Sequence, residues 1–496
     1  MINLTSFVRN HAIGTPERPA LSFAGVVMSY ERLHQSTLYV AQALTEVGVG
    51  PGSVIALLMK NSVAFIQFAL AASHIGAIFL PLNFRLSADE ISYIVNDSEA
   101  RVVVVDEELA RVVPAGIDKL IVSIDAQRDA SGLSSEPASA EPYPCVPGDL
   151  FRLMYTSGTT DRPKGVMHSY ENFYWKSVDH LLALELNSET RLLVVGPLYH
   201  VGAFDLPGIA VLWAGGMLSI RREFDPAATL AAIADERLNS AWLPPVMTSA
   251  LLACETASTL DLKCLKWIVG GGERTPEARV LEFSQVFSEA RYIDAYGLTE
   301  TCSGDTLMPR GYELLKIGSC GRALMHVAIT VRDEDGISLS VGQEGEICVR
   351  GPKVTKGYWK DPVKTEAAFF GDWFRTGDVG YLDDDGFLFI TDRKKDMIIS
   401  GGENIASLEV ERALQMLPEI LEVAVIGLPD ARWGERPVAV IVTSPGAVID
   451  FDRLRTHCRA QLAGFKVPQE FILRTELPRN PSGKILKREL RAQLLG

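Results

Sequence analysis

Across the first two thirds of the chain, short apolar runs alternate with stretches of helical spacing, and this alternation most narrows the folds available. RVVVVDE (101–107), KLIVSID (119–125), RLLVVGP (191–197), SAWLP (240–244) and LKWIVGGG (265–272) read as buried strands. Between two of them, DPAATLAAIADERL (225–238) opens with Asp225 as N-cap and Pro226 at the first helical position, then places Leu230, Ile233 and Ala234 on one face. Strand, helix and strand in that order predict α/β layers.

From about Gly318 the character changes. HVAITVRDEDGISL and VGYLDDDGFLFITD are paired strands broken at Asp-Gly turns, which predicts a small antiparallel barrel or sheet over about 318–392. After DRKKDMIISGGENI a compact α+β pattern follows, with Val410, Leu414 and Leu417 on one helical face and LEVAVIGL and PVAVIVT as strands. The expected organisation is a large N-terminal domain over 1–394 and a small, mobile C-terminal domain over 395–496. The low-complexity stretch near 129–144 reads as an exposed loop.

Bulk properties exclude several classes. The chain has 496 residues with 62 acidic against 48 basic side chains, a net charge of −14, and no basic block, so neither nucleic acid nor an anionic membrane is the expected partner. Seven cysteines without a Cys-x-x-Cys pair fit a reducing compartment better than a disulfide framework or a structural zinc site. The N-terminus lacks the long apolar stretch of a secretory signal. The most apolar region, SVAFIQFALAASHIGAIFLPL (62–82), is interrupted by Gln67, Ser73, His74 and Pro81 and reads as a buried helix running into a strand, so a cytoplasmic location is expected.

YTSGTTDRPKG (155–165) is the most chemically specific stretch. Gly158 and Lys164 are spaced as in a Walker A loop, but Pro163 stands where that loop needs its second glycine and Gly165 where it needs a hydroxyl. Four hydroxyls (Thr156, Ser157, Thr159, Thr160), a glycine and a lysine still supply donors for phosphate oxygens, an ordinary polar turn being the other reading.

With PLYHVGA, GGGERT, YGLTET, WFRTGD, DRKKDMIISGGENI and PRNPSGKILKREL following in order, this loop resembles the motif series of the acyl-adenylate-forming superfamily. That superfamily includes acyl-CoA synthetases, firefly luciferase and the adenylation domains of peptide synthetases, and the likeness is greatest to ligases of the coumarate- or feruloyl-CoA type. The resemblance implies ATP, Mg2+ and coenzyme A as cofactors. It makes Thr156, Ser157, Gly158, Thr159, Thr160 and Lys164 the grip on the β- and γ-phosphates. Asp161, where the family usually has glycine, then faces solvent or pairs with Arg162.

By the same resemblance Tyr296 stacks on adenine beside Gly271 and Gly272, Thr299 donates to the α-phosphate, Glu300 holds magnesium, and Asp378 and Arg393 take the ribose. Taken alone, DAYGLTET also reads as a buried tyrosine with a capping Thr-Glu pair. Lys484 would bridge the attacking carboxylate and the α-phosphate, with Lys487 as helix surface. Lys395 is the implied hinge, and Gly401, Gly402, Glu403 and Trp433 form the CoA face. Ala406 and Ser407 depart from the family's usual tyrosine and proline and reshape the start of the next helix.

His200 resembles the family's acyl-channel gate, a core histidine being the alternative. Val201, Gly202, Phe204, Trp242, Gly270, Ser303 and Gly304 are the expected pocket walls. Phe204 and Trp242 narrow the cavity toward a compact aromatic or short-to-medium acid, while Asp205 marks a polar substituent as a further option. The competing readings are an acyl-AMP ligase that loads a carrier protein's phosphopantetheine, a luciferase-like oxygenase and a non-catalytic nucleotide-binding relative. A homodimer is compatible with all of them.

Overall fold

The apolar run at 62–82 shows how the chain builds its layers. Ser62 Oγ accepts from Phe65 N at 3.2 Å and starts a helix over Val63–Ile75, Gly76 ends it at φ 72°, and Ile78–Pro81 follows as a strand. Every side chain from Val63 to His74 is buried, so Gln67 meets its needs internally, donating to Ser36 Oγ at 2.7 Å and Asp129 Oδ1 at 3.0 Å. Asp225 likewise caps a helix over Pro226–Asp235.

The computed structural model of the protein describes residues 2–156, 162–272, 275–401, 403–430, 432–479 and 485–495. Among these residues the strands form four sheets. The largest runs from edge to edge as Arg322–Ala323, Thr306–Leu307, Arg291–Tyr296, Trp267–Gly270, Ser240–Trp242, Arg191–Val194, Met217–Ile220, Pro19–Phe23 and Val26–Ser29. Its central strands are parallel, and the loops leaving their C-terminal ends carry PLYHVGA, GGGERT and YGLTET. The second sheet, Lys119–Val122, Val102–Asp106, Val54–Leu58, Ile78–Pro81, Leu150–Thr156 and Lys164–Ser169, ends in an antiparallel pairing of its last two strands. One apolar core joins both sheets, with Phe65, Phe79, Phe151, Phe173 and Phe204 in mutual ring contact.

The third sheet is antiparallel: Trp373–Leu382 has Gly345–Arg350 along one side and Phe369–Phe370 and Leu388–Arg393 along the other. The hairpin expected at 326–339 forms only in part. Ala328–Arg332 pairs with Gly345–Arg350, and its own return arm makes one bridge, Arg332 to Ser338, because Asp333 closes a tight turn by accepting from Ile337 N at 2.8 Å. The fourth sheet, centred on Ile420–Asp430 and Gly434–Thr443, is backed by the helix Ser407–Gln415, which buries Val410 and Leu414, with Leu417 buried just past its end.

The 129–144 stretch is the largely exposed loop expected, tied down at a few points. Ala130 is buried, Asp129 pairs with Arg32 at 2.6 Å, and backbone bonds run from Ala138 to Leu38 and from Tyr143 to His74, so it straps two helices together. No helix among the described residues is long and apolar enough to cross a membrane.

Candidate active site

The two strands that flank the stretch expected to grip phosphate meet at the pair Thr156–Lys164. Ser157, Gly158, Thr159, Thr160 and Asp161 lie outside the described residues, as do Gly402 and Lys484. Lys164 Nζ sits 4.2 Å from the centroid of the Tyr358 ring, and Tyr358 OH donates to Glu300 Oε1 at 3.0 Å. One tyrosine thus places the loop's cation beside the carboxylate expected to meet magnesium. Arg162 stacks on Tyr93 at 5.1 Å.

Thr299, Glu300 and Thr301 form a short 3-10 turn at the end of the strand Arg291–Tyr296, held from below by buried groups. His168 Nε2 donates to Thr299 O at 2.7 Å, Thr355 N donates to Glu300 O at 2.7 Å, and Thr301 Oγ1 donates to Asp305 Oδ2 at 2.5 Å. The chain then takes three consecutive left-handed residues, Cys302 (φ 55°), Ser303 (φ 67°) and Gly304 (φ 62°). Two non-glycine residues in that region carry strain. Lys353, fully buried, holds the bend by donating to Ser303 O at 2.7 Å and Gly304 O at 2.5 Å, with Asp305 at 3.1 Å. Burial raises the Asp305 carboxyl above its usual range, opposed by the Lys353 charge.

Tyr296, Asp378 and Arg393 come together. The Tyr296 hydroxyl donates to Asp378 Oδ2 at 2.8 Å, and Arg393 Nε lies 3.3 Å from Asp378 Oδ1 across a paired register. Burial, then the adjacent Asp378 charge, pushes the phenol well above its ordinary range, so it remains a donor. A Cβ on Gly271 would lie 3.0 Å from Ala295 O, whereas Gly272, at φ 88°, faces open space.

On the side expected to take the acyl group the Trp242 indole covers the 196–202 loop: a Cβ on Gly202 would sit 2.1 Å from it. The His200 ring lies 6.3 Å away at 30°, and Val201 is buried alongside. Three expectations are corrected. Phe204 belongs to the aromatic core rather than to a pocket surface. The space over Gly270 is filled by the Tyr292 hydroxyl, which lies 1.8 Å from where a Cβ would stand and is hydrogen-bonded to Thr275 at 2.7 Å. Asp205 is not offered to a substrate, because Arg152 Nη1 and Nη2 grip both its oxygens at 2.8 and 2.6 Å with both side chains sealed from solvent.

On the C-terminal hairpin Gly401 N donates to Trp433 O at 2.7 Å, and the indole packs where a Gly401 Cβ would be, leaving Glu403 and the indole exposed. Lys395 is exposed as a residue, and partial desolvation of its amine, then the neighbouring Arg393 charge, lowers that group's proton affinity. Lys487 is not helix surface. It pairs with buried Glu411 at 2.7 Å and donates to Ser407 Oγ at 2.5 Å.

The chain matches the AMP-binding enzyme model over residues 8–359 and that family's C-terminal domain model over 409–484. It belongs to the AMP-binding enzyme family. A feruloyl-CoA synthase from an Amycolatopsis species is 36% identical, with 98% of this chain and 99% of the relative covered. A long-chain-fatty-acid–CoA ligase from Mycobacterium tuberculosis is 35% identical, with 99% of each covered. The crystal structure of ATP-bound MatB from Rhodopseudomonas palustris superimposes with a TM-score of 0.92 at 30% identity, covering 99% of this chain and 98% of that one. For this family member, sequence reasoning missed Tyr358, Lys353, Arg152 and His168. Arg152 had a visible signal, a lone cation inside the apolar run LFRLMY.

Proposed function

We propose that the chain is an ATP-dependent acid–CoA ligase. A carboxylate attacks the α-phosphate of ATP to give acyl-AMP and pyrophosphate, and the CoA thiol then takes the acyl group and releases AMP. The observation that carries this reading is the convergence of a donor turn (Thr299, Glu300), which directly follows the strand ending in Tyr296, with the Tyr296 hydroxyl bonded to Asp378, itself beside Arg393.

Each residue has a defined task. Asp378 accepts the ribose hydroxyls with Arg393 alongside, Tyr296 flanks adenine, and Thr299 donates to the α-phosphate as charge gathers there. Lys164 and the loop hydroxyls hold the leaving pyrophosphate. Glu300, already oriented by Tyr358 and carrying a second oxygen, fits as a ligand for Mg2+, which would neutralise phosphate charge. Lys484 serves the first step. Residues 395–496 form a lid that turns about Lys395 and brings Gly401, Gly402, Glu403 and Trp433 to the CoA thiol.

Trp242 over Gly202 and Tyr292 over Gly270 favour a compact aromatic or short-to-medium acid. The test is a panel of acids from acetate through ferulate to palmitate, assayed for AMP release with CoA, without CoA and with a phosphopantetheinylated carrier protein. CoA-dependent AMP release with the smaller acids supports the reading. Release that needs the carrier protein, or palmitate as the best acid, refutes it.

A further inference from the structure

A buried polar relay under the donor turn is left unused by the chemistry above. Arg152 and His168 face each other across the two strands that border the phosphate-gripping loop, and Asp205 comes from the acyl-side loop. Arg152 Nε and Nη2 lie 3.0 and 2.8 Å from His168 Nδ1, while its Nη atoms grip Asp205. Arg152 is 1% exposed and His168 and Asp205 are 0% exposed. Lys176 Nζ and the His180 ring close the far side, both on Asp205 O, at 2.7 and 3.1 Å.

A guanidinium has donors only. His168 Nδ1 is therefore an acceptor, the proton sits on Nε2, and Nε2 can point nowhere but to Thr299 O. Burial, then the Arg152 charge, keeps this ring neutral. Three segments, the phosphate-loop strands, the acyl loop and the donor turn, are thereby fixed to one another through a single imidazole.

Stability alone is a poor reason for such a relay. Replacing a buried ion pair with packed apolar groups is often neutral or stabilising. What an apolar replacement cannot supply is a directional donor to one backbone oxygen. Misplacing a reacting group by about 1 Å costs on the order of a hundredfold in rate.

We propose that Arg152 and His168 are positioning residues for adenylate formation, setting the height of Thr299 through the Asp205–Arg152–His168 relay. The inference rests on the role given to Thr299 above. Adenylate formation is read as ATP–pyrophosphate exchange in the full chain, using whichever of acetate, octanoate, benzoate and ferulate the parent turns over fastest.

His168→Leu should lower kcat roughly ten- to a hundredfold while KM for ATP stays within about threefold. His168→Gln, whose amide oxygen and nitrogen can take the two ring positions, should recover most of that loss. His168→Asn, one methylene shorter, should not. The double variant R152L/D205L removes both charges together, should keep its melting temperature, and should lose kcat as His168→Leu does.

Equal kcat in His168→Gln and His168→Asn, or parental kcat in the folded double variant, would overturn the relay. Thr299→Ala separates the two levels of the argument. If it exchanges pyrophosphate at the parental rate, the role of Thr299 itself is wrong whatever His168 does. If it is impaired while the His168 variants are not, only the relay falls.

Discussion

Ser407→Pro tests whether the present arrangement of the C-terminal domain is held by a specific contact. Ser407 is the first residue of the helix Ser407–Gln415, and both its N–H and its hydroxyl donate to the Asp392 carboxylate, the hydroxyl at 3.0 Å. Asp392, 1% exposed, is the penultimate residue of the strand Leu388–Arg393 on one side of Lys395, and Ser407 lies on the other. A turn about Lys395 must therefore break both bonds. Proline is tolerated at the first position of a helix, so the substitution removes the two donors without unwinding it.

A hydrogen bond to a charged group is worth about 1.5–3 kcal/mol net. Two would give an upper bound of about 6 kcal/mol, and the Lys487 charge that stays near Asp392 offsets part of it. A loss of about 2–3 kcal/mol shifts the balance between the present and the turned arrangement by roughly thirty- to a hundredfold. The half-reaction that the present arrangement serves should slow accordingly while the other holds or rises, adenylate formation being read by pyrophosphate exchange and thioester formation from presynthesised acyl-AMP and CoA. Ser407→Ala, which keeps the N–H, should show about half the effect in free energy. Equal slowing of both half-reactions, or no change in either, would refute the argument.

Four further outcomes are expected. Trp242→Ala should cost about 3–5 kcal/mol of stability and raise kcat/KM for acids one ring larger relative to smaller ones, as read by calorimetry and the acid panel; an unchanged rank order removes Trp242 from the pocket. Tyr358→Phe should raise the magnesium concentration for half-maximal adenylation severalfold with little change in melting temperature, checked by Mg2+ titration. Lys484→Ala should slow adenylation on the order of a hundred- to a thousandfold yet leave thioester formation from acyl-AMP near normal in the same preparation. Buried Lys176 gives the pH-dependent case. Burial lowers its pKa from 10.5 to about 8, so between those values the unfolded chain holds a proton that the folded chain releases, and this residue's contribution to stability rises with pH across that window. Lys176→Met should flatten the rise, and melting curves of parent and variant from about pH 7.5 to 10.5 measure the difference.

Much of the scaffold was legible because its signals are local. Ser62, Gly76, Asp225 and Pro226 mark helix ends within a few residues of the turns they control. The loops that carry the candidate site were legible as motifs, and the structure places Tyr296, Asp378 and Arg393 within bonding distance. What stayed hidden depends on partners remote in sequence. Asp205 offers no local sign that Arg152, 53 residues away, will claim both its oxygens, nor Lys487 that Ser407, 80 residues away, will bury it. Gly270 looked like an opening because glycine leaves space, but which neighbour fills that space depends on the strand beside it, where Tyr292 stands. The 326–339 hairpin stays incomplete for a similar reason: Gly345–Arg350 offers a longer ladder than the chain's own return arm.

The left-handed bend at Cys302, Ser303 and Gly304 bears on how such an enzyme can diversify. Its shape is set by main-chain torsions and by a buried ammonium on two carbonyls, and a side chain added at Gly304 would run into His180 Nε2 at 2.6 Å. This wall of the proposed acyl pocket is made of backbone and has almost no room for mutational tuning. Another proposed wall is one indole, Trp242, replaceable in a single step. Evolution toward a new acid is therefore lopsided: it proceeds through position 242 and its surroundings, while the bend remains a fixed template that descendants inherit unchanged.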